Sequence, residues 1–236
     1  MTDARATEGS ARAAPGQPES ATTTGAARAA AALIALIAFT GVAVQFSVVY
    51  RTSGSVTATI WALLAYFTIT TNLLVAFLFG WIALRGGVRE LAWLLAGTAL
   101  SILLVGVVYE VLLSSLYHLS GAAAFSNVLV HRLTPVLVPL YWLAFAPKGR
   151  LASRDPLLWG VYPLAYLAYA LARGQLAGVY AYPFIDVAHL GWARTALNVA
   201  LITLGYLIVG WALVLLDRRL APRSEGPAPG KTFILL

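Results

Sequence analysis

His131 and Arg132 stand side by side in an otherwise apolar run from Ala122 to Phe145, with Pro135 and Pro139 following. Ionisable residues at membrane depth are costly, and they mark candidate functional sites. Two other apolar segments carry polar anomalies of their own, Thr68-Ile69-Thr70-Thr71-Asn72 and Glu110. A threonine hydroxyl becomes a competent nucleophile only beside a base. A neutral imidazole, with a nominal pKa of about 6.5, can be that base. A threonine of that cluster set beside His131 would therefore have the makings of acyl transfer, with Asn72 and Arg132 as candidate donors to an oxyanion. Glu110 has two candidate roles: orienting the imidazole, as the third member of a triad does, or pairing with Arg132 as buried charges do.

Whether these residues can meet depends on the elements that carry them. The chain has 236 residues, of which 60% are hydrophobic and 11% charged. Soluble domains carry roughly 25% charged residues, so the composition is that of an integral membrane protein. Residues 29–50, 52–84, 91–109 and 195–216 contain no Lys, Arg, Asp or Glu. A helix needs about 20 apolar residues to cross the hydrocarbon core, and only helices or closed barrels satisfy the backbone there. Continuous runs without period-two alternation select helices. The expected fold is all-α, a polytopic bundle of six transmembrane helices at 27–50, 59–84, 89–117, 124–146, 156–173 and 192–216. The fifth is the shortest and contains Pro156 and Pro163.

The net charge of +7 is distributed unevenly. With the N-terminus cytoplasmic, that side receives Arg28, Arg85, Arg89, Lys148, Arg150, Arg154, Arg218 and Arg219 together with the basic residues of both tails. The other side receives only Arg51, Arg173 and Arg194. This is the positive-inside asymmetry. It places both termini in the cytoplasm of a cell-membrane protein and removes the case for a nucleic-acid partner. Residues 1–26 and 218–236 read as disordered cytoplasmic tails around a six-helix domain at 27–217. The first helix is too long, and too far from the basic start, for a cleaved signal.

At 1.5 Å per residue, Thr68 lies roughly 13 Å below the outer surface, and His131 and Glu110 roughly 10 Å below it. All three fall in the outer half of the bilayer, on consecutive helices with short connections. Pro135 has no N–H for the carbonyl of His131, so the helix is expected to kink there and leave a free carbonyl beside the histidine. Other readings use the same residues. A membrane threonine commonly bonds to its own helix or a neighbour, and the polar layer would equally serve a small-solute transporter or channel. A haem protein needs axial ligands such as paired histidines, and His131 is the single histidine at depth. With no cysteine, thiolate chemistry is excluded. There is no Gly-x-Ser-x-Gly elbow and no His-Glu-x-x-His motif, and no cofactor or metal is expected. Tyr109, Tyr117, Tyr141 and Trp142 read as packing or interface residues, His118 and His189 as surface ones.

Three stretches carry a resemblance. Tyr66-Phe67-Thr68 with Leu73-Leu74 and Phe77-Leu78-Phe79-Gly80 resembles the second helix of the androgen-induced, FAR-17a-like membrane proteins. His131, Pro135-Val136 and Pro139 resemble that family's histidine-bearing helix, and Gly178-Val179-Tyr180-Ala181-Tyr182-Pro183-Phe184-Ile185-Asp186 its loop before the last helix. Thr71 stands where the animal relatives carry an acidic residue. Characterised animal members are threonine hydrolases of fatty-acid esters of hydroxy fatty acids. The resemblance therefore implies a membrane esterase with Thr68 as nucleophile and His131 as its essential histidine, acting on a lipid ester drawn from the membrane.

Overall fold

The computed structural model describes residues 23–116 and 118–222. Tyr117 and most of the two expected tails lie outside these residues. The described chain is helical, and no strand occurs among the described residues. Helix α1 (Gly25–Ser53) starts under the Thr24 hydroxyl, which accepts from the Ala27 N–H at 3.2 Å, and stops at Gly54 with φ 62°. A left-handed residue is a common helix terminator and costs glycine least. A short α2 (Val56–Leu63) precedes α3 (Phe67–Arg85). Arg28 near the start of α1 donates to the carbonyls of Ala83 and Leu84 at 2.8 Å each. These two helices therefore run antiparallel, and a cation satisfies the last carbonyls of α3.

Helix α4 (Ala92–Val108) continues through a π turn at Tyr109–Leu113. The next long helix is α5 (Gly121–Val128), a π turn at Leu129–Leu133 and α6 (Thr134–Phe145) in series. Pro135 removes one α-helical bond, and the chain takes up that loss in the π turn that carries His131. Single π turns inside helices concentrate at functional sites. Two glycines let neighbours approach this turn. A Cβ on Gly41 of α1 would stand 2.5 Å from Cγ1 of Val130, and one on Gly106 of α4 would stand 2.6 Å from Cβ of Pro135. Gly106→Val is therefore expected to push the histidine helix away, at a cost of about 1–3 kcal/mol. A lowered Tm of the purified protein, read by scanning fluorimetry, would check it.

Helices α7 (Asp155–Trp159) and α8 (Val161–Ala177) follow, then a 3-10 turn at Pro183–Ile185 and α9 (Val187–Arg219), kinked at Gly191. Among the described residues five helices are long and apolar enough to cross a membrane: α1, α3, Ala92–Leu113, Gly121–Phe145 and α9. That is the composition of a membrane-embedded protein. The expected fifth span at 156–173 is divided by Gly160, and its longer piece has 17 residues, roughly 25 Å of helix. The expected continuous helix at 59–84 is broken at Leu64–Tyr66. Its break matters most for the site.

Candidate active site

Because α3 begins at Phe67, Thr68 occupies the first turn of a helix rather than the interior of one. Tyr66 precedes it in an extended conformation, and its carbonyl accepts from the N–H groups of Ile69 and Thr70 at 3.1 and 3.3 Å. The N–H groups of Phe67 and Thr68 are then the orphan donors that every helix start leaves behind. The Tyr182 hydroxyl, from the loop before α9, is directed at those two N–H groups and at the hydroxyls of Thr68 and Tyr166. On the other side of the break, the Tyr166 hydroxyl of α8 donates to the Ala65 carbonyl. The Tyr166 hydroxyl thus satisfies a carbonyl that the interrupted helix exposes, and the Tyr182 hydroxyl lies beside the N–H groups where it restarts.

Across from this turn, His131 places Nε2 3.2 Å from Oγ1 of Thr68. The imidazole lies against the Tyr109 ring, with centroids 4.1 Å apart and planes at 23°. Tyr109 is itself held by Asn127, whose Nδ2 donates to its hydroxyl at 2.6 Å. Nδ1 of His131 is buried and faces the Asn127 carbonyl without reaching hydrogen-bond geometry. A proton on Nδ1 leaves the Nε2 lone pair for the threonine, the tautomer a general base requires.

The remaining residues singled out from sequence do other work. Asn72 is fully buried; its Nδ2 donates to the carbonyls of Thr68 at 2.8 Å and Val130 at 3.2 Å. Its Oδ1 accepts from the Thr134 hydroxyl at 2.7 Å. With both amide protons committed to carbonyls, Asn72 is not a free oxyanion donor. It is the clamp that sets α3 against the histidine helix. Arg132 and Glu110 pair at 2.6 Å on the outside of the bundle, with side chains 53% and 46% exposed. Neither borders the cavity at Thr68. No hydrogen bond joins Glu110 to His131 among the described residues, and the Arg132 guanidinium, expected as an oxyanion donor, is engaged by Glu110 on the exposed side. Adjacent residues on a helix cannot share a face, and His131 has the inner one.

Thr68 and His131 open onto a cavity of about 190 Å³ between α4, α8 and α9, bounded chiefly by apolar side chains and by Tyr109, Tyr166, Tyr182 and Tyr206. Tyr109 and Tyr182 were not legible as site residues. Tyr182 lies inside the loop motif 178–186, the one signal that could have drawn attention to it. Among the described residues no group of three His, Asp or Glu is placed to hold a metal ion. Comparison of the chain with family models, with curated proteins and with solved structures finds no match.

Proposed function

We propose that this protein is an integral membrane lipid-ester hydrolase with a threonine nucleophile and a histidine base, built as six membrane helices with both termini cytoplasmic. The observation that carries the reading is the 3.2 Å contact between Thr68 Oγ1 and His131 Nε2, in the wall of an apolar cavity. Thr68 attacks the ester carbonyl as its proton passes to Nε2. The tetrahedral intermediate collapses, and the same proton goes to the departing alkoxide. Water, deprotonated in turn by Nε2, then attacks the acyl-threonine, releasing the carboxylic acid and restoring Thr68. Proton transfer of this kind is worth about 10²–10⁴-fold.

Charge on the carbonyl oxygen needs preorganised donors. The candidates are the Tyr182 hydroxyl and the N–H groups of Phe67 and Thr68, which converge at the start of α3. Tyr182→Phe is expected to lower kcat by about 10²-fold with little change in KM, the signature of a donor used mainly in the transition state. Steady-state kinetics on one ester checks it. The resemblance to FAR-17a-like hydrolases supports the same assignment and points to fatty-acid esters. The direct test is release of free fatty acid by the purified protein from a fatty-acid ester of a hydroxy fatty acid. An inert wild-type protein would overturn the proposal and turn attention to solute flux in proteoliposomes.

A further inference from the structure

A second concavity, of about 530 Å³, adjoins the first. It is a groove between α4 with its following π turn, from Leu100 to Leu112, and α9, from Asn198 to Val209. Twelve residues of helix measure roughly 18 Å. Half of the roughly 30 Å hydrocarbon core, the depth of one leaflet, is close to that length. Leu104, Val108, Phe184, Ile202 and Tyr206 border both spaces, so only side chains separate the groove from the cavity at Thr68. The two polar side chains in its wall are turned to other partners. The Tyr206 hydroxyl meets Ser101 Oγ at 3.4 Å, and the Asn198 amide donates to the Phe184 carbonyl at 2.9 Å. The surface offered inside the groove is hydrocarbon. In its wall a Cβ on Gly205, which is exposed, would meet nothing within 4 Å, so this glycine leaves the groove open. Val107, Val111, Leu201 and Val209 along its rim are exposed on the outside of the bundle.

We propose that this groove is the acyl-chain site and the lateral entrance: one long acyl chain of a membrane lipid ester lies along it. The chain passes Phe184 and Tyr206 to set the ester against Thr68. The inference rests on the hydrolase reading and adds to it the route and the part of the substrate that is measured. A chain entering between α4 and α9 never leaves apolar surroundings, so its burial costs no dehydration. Chain length is then read by the groove, whereas the reaction is carried out in the inner cavity.

The test uses full-length protein in nanodiscs. The ratio of kcat/KM for a palmitoyl ester to that for a butyryl ester is measured for wild type and for Gly205→Trp. The expected result is at least a tenfold fall in that ratio, with unchanged gel filtration. A ratio within twofold of wild type would overturn the proposal. A binding arm separates it from the hydrolase reading. Thr68→Ala protein is photolabelled with a diazirine-bearing palmitoyl ester, and the labelled peptides are mapped. Label concentrated in 100–112 and 198–209 supports the groove even if wild type hydrolyses neither ester, a result that would sink the hydrolase alone. Label spread evenly around the bundle overturns the groove. The chain has no cysteine, so Gly205→Cys also reports on a second copy. Disulfide-linked dimers of that variant would show the groove filled by another protein chain and would overturn the proposal.

Discussion

Thr68→Ala and His131→Ala are each expected to lower turnover of a lipid ester by at least about 10³-fold, and the double variant by no more than either alone. Groups that act as one unit lose their joint contribution when any member goes, so their effects do not add. The reason lies in the 3.2 Å contact: without Nε2 the Thr68 hydroxyl has no proton acceptor, and without the hydroxyl the imidazole has nothing to activate. Thr68→Ser is expected to retain measurable activity, since a primary hydroxyl can occupy the same position. All variants should elute as wild type on gel filtration, because the alanine substitution removes a single side-chain bond in the cavity wall. Measurement is of fatty-acid release from a hydroxy fatty acid ester. Turnover by Thr68→Ala at the wild-type rate would end the threonine mechanism.

Asn72→Ala should cost stability and activity together. Its amide joins the Thr68 carbonyl of α3 to the Val130 carbonyl and the Thr134 hydroxyl of the histidine helix, with no exposure of the side chain. Interhelical hydrogen bonds in membranes average about 0.6 kcal/mol, and a buried group left without a partner costs about 1–3 kcal/mol. Three hydrogen bonds lost at once, two of them between helices, with partners left buried, give about 2–3 kcal/mol, read as a lowered Tm in detergent. Because Thr68 and His131 sit on the two helices so joined, kcat is expected to fall more than 10-fold, as small misplacements at a reacting centre cost about 10²-fold. Asn72→Asp separates the roles: it keeps an acceptor for Thr134 but turns an oxygen toward the two carbonyls it formerly satisfied. It should be at least as unstable as Asn72→Ala. Wild-type Tm in either variant would show that the clamp is not what holds the two helices in register.

The sequence by itself determined the helical class and the apolar segments compatible with a membrane, because charge-free runs of that length admit few other structures. It also marked Thr68 and His131 as the pair to watch, through residue type and shared depth. The π turn at His131 follows from a local cause visible in the sequence, the missing N–H of Pro135. Tertiary structure decided the rest. Nothing in Leu64–Tyr66 forbids helix: no glycine or proline is present, and the run is as apolar as its flanks. At the break Tyr166, about a hundred residues later, donates to the Ala65 carbonyl, and the loop before α9 brings the Tyr182 hydroxyl to the restart of the helix. That interruption turns Thr68 from a mid-helix residue into one at a helix start, with the Tyr182 hydroxyl and the first N–H groups of α3 beside it. The pairing of Glu110 with Arg132 was one of two roles the sequence offered, and only the structure chose between them, while the contacts of Asn72 were out of its reach. An amide or a guanidinium serves a site or a scaffold according to which partners stand within 3 Å, and those partners arrive from other helices.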